Sequence, residues 1–126
     1  MINETDIIEL HSLSIQDFGG VSGMRDRDLM LSAINRPFQT FDGTDLYTTA
    51  FDKAAALGES LIINHPFVDG NKRTAFLAML ALLLEYGYEL TADSDTTYSF
   101  VVAMAQGLNK FDEILAWFQA NCKYRS

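Results

Sequence analysis

The sequence predicts an all-α protein, a compact bundle of about six helices, and three observations indicate this class. Apolar residues recur at helical spacing along most of the chain, strand-like alternation is almost absent, and glycine or proline stands where most apolar stretches stop. The chain has 126 residues, of which 48% are hydrophobic and only two are proline. A chain of this size can bury one hydrophobic core without long linkers. We therefore expect a single domain over residues 1–126.

The first predicted helix follows Asn3 or Thr5. Either side chain can cap a helix by accepting hydrogen bonds from the N–H groups of the first turn. The apolar positions of this helix recur at roughly helical spacing: Ile7, Ile8, Leu10 and Ile15. The pair Gly19-Gly20 ends it. His11 lies among these apolar residues, and we interpret it as a partly buried structural histidine rather than a catalytic one.

A glycine-rich loop over residues 19–23 leads to the second predicted helix. This helix begins at Asp26 or Asp28, both suitable cap residues. It ends at Arg36, because the residue before Pro37 is pushed out of the helical conformation. A polar connection then runs from residue 38 to about residue 44.

Four further helices are predicted after this connection, which contains a turn at Phe41-Asp42-Gly43. The third helix covers residues 45–63 and is rich in alanine and leucine, both good helix formers. The fourth covers residues 71–86, and its segment 76–84 is apolar on every face, which predicts the buried central helix of the fold. Gly87 ends it, and two more helices follow around residues 94–106 and 110–122.

The composition excludes several classes of function. The formal net charge is −8 and the isoelectric point is about 4.5, whereas sequence-independent binding of nucleic acid needs a cationic face. Cys122 is the only cysteine, so no disulfide can form within the chain. The first residues lack the pattern of a secretory signal, and the apolar run 75–84 is shorter than the ~20 residues that span a bilayer. We expect a cytoplasmic protein without nucleic-acid or membrane contacts.

Residues 65–73 read His-Pro-Phe-Val-Asp-Gly-Asn-Lys-Arg and carry most of the functional signal. The stretch holds a titratable base, a carboxylate, an amide and two cations directly before an apolar helix: His65, Asp69, Asn71, Lys72 and Arg73. Free N–H groups and the helix dipole favour an anion at such a helix start. The stretch therefore predicts a phosphate site at which a metal can be held and a proton moved.

The loop part of this stretch contains three residues with separable roles. Pro66 predicts an extended conformation for His65, which places this candidate general base in the loop before the helix. The alternative is a histidine that only caps the preceding helix. Phe67, apolar between polar neighbours, is predicted to anchor the loop in the core. Asp69 is predicted either to cap the following helix or to bind Mg²⁺, a hard cation that prefers oxygen ligands.

The helix start supplies the candidate phosphate ligands. Gly70 permits a positive φ or a close approach of the backbone to phosphate. Asn71 can donate its amide to a phosphate oxygen, and Arg73 offers a planar fork that suits phosphate.

The stretch resembles the signature of the Fic/Doc family, His-x-Phe-x-Asp/Glu-Gly-Asn-x-Arg, at six positions: His65, Phe67, Asp69, Gly70, Asn71 and Arg73. A second block, residues 19–26 with residues 32–37, is similar to the N-terminal region of the death-on-curing (Doc) branch. The resemblance implies a Fic/Doc-like fold in which the active-site loop leads into a buried central helix. It also implies ATP and Mg²⁺ as cofactors, His65 as the base for a hydroxyl of a target protein, and Asp69 as a metal ligand.

Two positions depart from the pattern Gly-Asn-Gly-Arg-x-x-Arg of the adenylylating Fic enzymes, since Lys72 replaces the second glycine and Phe76 the second arginine. Residues 71–75 are shared with the Doc toxin, which the resemblance implies to be a kinase that transfers the γ-phosphate. By this resemblance Lys72 and Arg73 hold the phosphate charge, although Lys72 can instead fill the pocket. Gly70 matches the Fic pattern where the Doc toxin has alanine. Phosphoryl transfer is the expected reaction, and adenylyl transfer is the alternative.

The Doc branch also implies a toxin of a toxin–antitoxin system that modifies a translation factor, elongation factor Tu. No inhibitory Ser/Thr-x-x-x-Glu-Gly/Asn string occurs in the sequence. We therefore expect an antitoxin supplied in trans, docked in a groove between the loops of residues 19–23 and 38–43. A non-catalytic module that binds an antitoxin or host factor is the second class of function. The intact set of His65, Asp69, Asn71 and Arg73 favours catalysis.

Overall fold

The computed structural model describes residues 2–125, which form six α-helices: α1 (Glu4–Phe18), α2 (Arg27–Asn35), α3 (Ala50–Asn64), α4 (Asn71–Glu85), α5 (Ser94–Ala105) and α6 (Phe111–Asn121). The prediction of an all-α bundle of about six helices is confirmed. A 3₁₀ turn, Arg36–Phe38, follows α2. No helix within residues 2–125 is long and apolar enough to cross a membrane.

The first two helices begin at predicted cap residues. Asn3 caps α1 in a capping box, because its side chain accepts the N–H of Asp6 while the Asp6 carboxylate accepts the N–H of Asn3. Asp26 caps α2 through the N–H of Leu29. Each cap side chain thus satisfies an N–H group of the first turn of its helix.

The predicted start of the third helix at residue 45 is wrong, because α3 begins only at Ala50, after its cap Thr49. Two short strands, β1 (Thr40–Phe41) and β2 (Thr44–Asp45), form an antiparallel hairpin in the preceding segment. Asp42 and Gly43 close it with φ angles of 53° and 79°. Two consecutive positive φ angles are typical of a type I′ turn, for which Asp-Gly is a favoured sequence. The turn predicted at Phe41-Asp42-Gly43 is present, but the two short strands beside it were not predicted.

A second short ladder joins β3 (Tyr88–Leu90), which follows α4, to β4 (Cys122–Tyr124), which follows α6. Helix α6 therefore ends at Asn121, and the chain continues as a strand. The ladder links the two ends of the C-terminal half of the chain.

Helix α4 is the central helix and packs against α3, α1 and α5. The buried apolar residues of its middle and end are Ala75, Phe76, Ala78, Met79, Leu82 and Leu83. Leu84 is 53% exposed, so the expectation that the whole segment 76–84 is buried is wrong at its last residue. Helix α3 can lie close to α4 because Gly58 has no side chain, and an added Cβ would overlap the thioether of Met79.

Aromatic rings hold α5 and α6 against α4. Phe76 on α4, Phe100 on α5 and Phe118 on α6 are all buried. The ring of Phe100 stacks on that of Trp117 with centroids 4.1 Å apart, and the rings of Phe76 and Phe118 lie 6.0 Å apart. This cluster fixes the start of α4 relative to α5.

Candidate active site

A cavity of about 600 Å³ lies where the end of α1, the start of α4 and the end of α5 meet. We call residues 65–70, which connect α3 to α4, the motif loop, and we call this space the motif cavity. Six of the predicted site residues line it: His65, Asp69, Gly70, Asn71, Lys72 and Arg73. The seventh, Phe67, lies beneath the loop in the core and is 3% exposed.

His65 is the C-cap of α3 and has left-handed backbone angles, φ 47° and ψ 58°. The expectation of an extended conformation is therefore wrong, although the histidine does precede α4. A residue before proline avoids the right-handed helical region, and a left-handed residue is a common way to end a helix. This turn aims the carbonyl of Pro66 at the N–H groups of Arg25 and Asp26, at 2.7 and 3.0 Å.

Arg25 holds the end of α3 in place. Its guanidinium donates to the carbonyl oxygen of His65 and to that of Asn64, both at 2.7 Å. Cations favour the carbonyl end of a helix. The place of Arg25 in the glycine-rich block resembling the Doc branch was the available signal for a role at this site.

The carboxylate of Asp69 is held by backbone donors on both of its oxygens. Oδ2 accepts the N–H of Val21 at 3.0 Å, and Oδ1 accepts the N–H of Gly70 at 2.8 Å. These hydrogen bonds, first that of Val21, lower the pKa of Asp69 below its usual value of 3.8, and the charges of Arg73 and His11 add to the effect. The carboxylate is therefore ionised at neutral pH and faces the motif cavity.

Asp69 does not cap α4, so the alternative role predicted for it is wrong. The N-cap is Gly70, with φ 76° and no side-chain hydrogen bond to the first turn. A non-glycine residue rarely adopts this φ angle. The N–H groups of the first turn of α4 are thus left without a side-chain cap, which is the arrangement expected for an anion site.

The side chain of Asn71 is used within the motif loop. Its Oδ1 accepts the N–H of Phe67, and its Nδ2 donates to the carbonyl of Phe67, both at 2.9 Å. The same Nδ2 lies 3.3 Å from Nδ1 of His65. The nearly buried amide thus satisfies the loop backbone, and its donation to a phosphate oxygen stays a prediction.

The two cations contact opposite walls of the motif cavity. Lys72 donates to the carbonyl of Ala105 at the end of α5, at 2.6 Å. Arg73 donates to the carbonyl of Gly19 at the end of α1, at 2.8 Å, and its guanidinium lies 5.7 Å from the ring of Phe18. Both ammonium and guanidinium groups have further donors to offer an anion.

The glycine-rich loop fits closely over these charges. A Cβ added at Gly20 would lie 2.6 Å from Oδ2 of Asp69 and 3.2 Å from Nη2 of Arg73. Gly20 also has φ 121°, which side chains rarely allow. Gly19 and Gly20 thus form a wall of the cavity, and the loop is bonded to the carboxylate through Val21 and to the guanidinium through Gly19.

The donor set fits Mg²⁺ bound together with phosphate. Among residues 2–125, no three His, Cys, Asp or Glu side chains converge as a metal cage. Mg²⁺ in nucleotide sites takes one or two carboxylates and completes its shell with phosphate oxygens and water. The ionised Asp69 beside an open helix start meets that requirement. Cys122 is no candidate nucleophile, because burial raises the pKa of its thiol to about 11.

The helical bundle gathers a histidine, an ionised carboxylate and two cations around an open helix start, an arrangement suited to phosphate groups. A model of the Fic/DOC family matches residues 1–83, and the chain belongs to this family. It is similar to Toxin Doc of Mycolicibacterium smegmatis (strain ATCC 700084 / mc(2)155), with 43% identity over 94 residues, 75% of this chain and 70% of that protein. The resemblance drawn from residues 65–73 is thereby confirmed. Members of the family are transferases that act on proteins and use a nucleotide with a divalent metal.

Proposed function

We propose that this protein is the toxin of a toxin–antitoxin pair and transfers the γ-phosphoryl group of ATP to a hydroxyl of a host protein. The observation that carries the proposal is the convergence of a base, an ionised carboxylate, a helix start and two cations in one cavity. Similarity to Toxin Doc supports the toxin role. Elongation factor Tu, the target that this branch implies, is the proposed substrate, and modifying it would arrest translation in the cytoplasm.

The phosphate groups would be held at the start of α4. The uncapped N–H groups of the first turn and the positive end of the helix dipole attract the anion. Lys72 and Arg73 add two charges from opposite walls. Asp69 would hold Mg²⁺, which neutralises charge on the phosphate oxygens when bound.

His65 would act as the general base. It accepts the proton of the target hydroxyl, whose oxygen forms a bond to the γ-phosphorus. The bond from that phosphorus to the β,γ-bridging oxygen breaks, and ADP leaves with the electron pair. The target gains a phosphoryl group, and His65 returns its proton to solvent. The exposed position of His65 at the cavity edge leaves room for a protein substrate.

The contact between His65 and Asn71 bears on which ring nitrogen is basic. Nε2 can accept a proton only if the neutral imidazole carries its own proton on Nδ1. The amide of Asn71 favours the other tautomer, but its distance of 3.3 Å to Nδ1 exceeds the usual range for an N–H donor. This preference is weak enough for a target hydroxyl to select the basic Nε2.

Two residues support phosphoryl over adenylyl transfer. Lys72 places a charged side chain where adenylylating enzymes have glycine, which leaves less room for the α- and β-phosphates. Phe76 belongs to the aromatic core and is 7% exposed, so it supplies no charge to a nucleotide tail. Adenylyl transfer remains the second candidate, and Gly70, which matches the Fic pattern, favours it.

Radioactive ATP distinguishes these reactions. We expect a labelled host-protein band, or labelled elongation factor Tu, with γ-labelled ATP and Mg²⁺, and no band with α-labelled ATP. Lys72→Ala should weaken the band by about tenfold, because one charge-assisted contact to phosphate is lost. The matched control is Lys110→Ala, which changes an exposed lysine outside the motif cavity. An α-labelled band would replace the proposal with adenylyl transfer, and the absence of both bands would favour the non-catalytic binding module.

An antitoxin would bind beside the motif cavity. An apolar groove of about 790 Å³ runs between α4, α5 and the end of α1, with Phe76, Tyr98 and Val101 among its lining residues. It shares Phe18 and Arg73 with the motif cavity. An amphipathic antitoxin helix seated there would reach the guanidinium that faces the phosphate site. The apolar lining of this groove supports the placement, and docking between residues 19–23 and 38–43 stays the alternative.

A pair of tyrosine variants tests this groove. Tyr98 is 71% exposed inside it, and Tyr124 is 63% exposed elsewhere. Tyr98→Lys should weaken antitoxin binding roughly 10- to 100-fold, because tyrosines at interface centres contribute strongly. Co-expressed antitoxin should then no longer restore host growth, while it still neutralises Tyr124→Lys. Equal neutralisation of both variants would show that the antitoxin binds at another surface and not in this groove.

A further inference from the structure

His11 lies on α1, 4% exposed, and is not among the residues that line the motif cavity. We propose that it is a positioning residue for the transfer reaction, which fixes the peptide unit between Asp69 and Gly70. This inference rests on the proposed function for its kinetic consequence, but its structural part stands apart from it. His11 acts through other residues, because its buried ring has no access to substrate.

The hydrogen bond of His11 holds one end of a peptide unit whose other end is also held. Nε2 of His11 lies 2.8 Å from the carbonyl oxygen of Asp69, so this nitrogen carries a proton and donates it. The same peptide unit contains the N–H of Gly70, which donates to Oδ1 of Asp69. A peptide unit is planar, so two bonds at its opposite ends fix its orientation.

The orientation of this peptide unit affects the positions of two groups, the carboxylate of Asp69 and the first turn of α4. The carboxylate of Asp69 is placed partly by its bond to the Gly70 N–H, and the positive φ of Gly70 directs the first turn of α4. A rotated peptide unit would move the metal-binding carboxylate and the anion-binding N–H groups together. One hydrogen bond from α1 thus helps to place both the carboxylate of Asp69 and the first-turn N–H groups of α4.

The face of the imidazole provides a second contact with the motif loop. The rings of His11 and Phe67 are stacked, with centroids 3.8 Å apart and planes 5° from parallel. The backbone N–H and carbonyl of Phe67 are both bonded to the side chain of Asn71, at the start of α4. His11 therefore supports the loop by packing at Phe67 and by hydrogen bonding at Asp69.

An imidazole combines a flat ring and an N–H donor in one side chain, and two substitutions separate these properties. His11→Phe keeps a ring for the stack on Phe67 but leaves the carbonyl of Asp69 without its donor. His11→Gln can return an N–H near the place of Nε2 but loses the stack. Ile7→Val, at another fully buried position of α1, controls for general destabilisation.

The three variants are compared in kcat and KM for ATP-dependent protein modification and in amide hydrogen exchange over residues 67–73. We expect His11→Phe to lower kcat about 10- to 100-fold with a smaller change in KM. A small displacement of the groups that position the reacting atoms slows a reaction by factors of this size. Exchange over residues 67–73 should become faster. His11→Gln should recover part of both properties, and Ile7→Val should leave both unchanged.

The outcomes separate this inference from the proposed function. An inactive wild type would overturn the transferase proposal, while the exchange measurement would still test His11. Equal exchange over residues 67–73 in wild type and His11→Phe, or no recovery with His11→Gln, would overturn the positioning role. If His11→Phe does not fold, nitrogen NMR of the His11 ring in the wild type tests the proposal instead. An unprotonated Nε2 would contradict the hydrogen bond to the carbonyl of Asp69.

Discussion

His65→Ala is expected to lower kcat for protein modification by about 100- to 10,000-fold, the usual contribution of a general base. The reason is the position of the imidazole, at the edge of the cavity that also holds Asp69, Lys72 and Arg73. The measurement is transfer from γ-labelled ATP to the host protein, with ATP binding followed separately. Binding should change little, because the contacts assigned to phosphate come from α4 and its side chains.

The same variant tests whether His65 has a mainly structural role. As the C-cap of α3 it contributes its backbone, while its exposed ring makes only the long contact to Asn71. Thermal unfolding of His65→Ala should therefore stay close to that of the wild type. A variant that folds normally and retains full transfer would remove His65 from the mechanism. Toxicity on expression that is equal to wild type would contradict catalysis by this residue as well.

Phe118→Ala is expected to produce the largest loss of stability, about 3–5 kcal/mol in the free energy of unfolding. Phe118 is 1% exposed on α6 and lies against Phe76, Phe100 and Trp117. Its removal leaves a cavity between α4, α5 and α6 that these large rings cannot collapse to fill. The measurement is urea unfolding followed by circular dichroism.

The matched control is Phe41→Ala, which removes the same side chain from a site that is 75% exposed in the β1–β2 hairpin. Its effect should stay within about 0.5 kcal/mol, as for most surface substitutions. Similar losses of stability from both variants would contradict the assignment of Phe118 to a tightly packed aromatic cluster. A loss of stability in Phe118→Ala alone would show that the burial of the side chain determines the size of the effect.

Much of the fold follows from local features of the sequence. The caps Asn3 and Asp26, and the stop at Gly87, act within one or two turns of the chain, so sequence alone located these ends. The hairpin at Asp42-Gly43 was missed because its strands are only two residues long and show no alternation. The β3–β4 ladder was missed because its partners stand more than thirty positions apart, a pairing that no local pattern encodes.

In the candidate site, too, some features follow from the local sequence and others depend on contacts between distant residues. The residue types needed for base, metal and phosphate chemistry stand together in residues 65–73, so the sequence pointed to them directly. It did not predict the bonds between the amide of Asn71 and the backbone of Phe67, because hydrogen bonding inside a loop depends on the loop conformation. It interpreted His11 only as a structural histidine and gave no sign of the bonds from Arg25, since the bonds of these residues to the motif loop cross 58 and 40 positions of the chain.

The sequence by itself determined the helical class, the family and the residue types of the candidate site, because side-chain type, spacing and end signals are properties of neighbouring residues. Only the tertiary structure decided how the side chains of the site are positioned and oriented. The packing of α1 against α4 brings His11 to the carbonyl of Asp69 and Gly19 to Arg73. Such contacts depend on the close fit of whole helices, as at Gly58 and Met79, and not on any short stretch of chain.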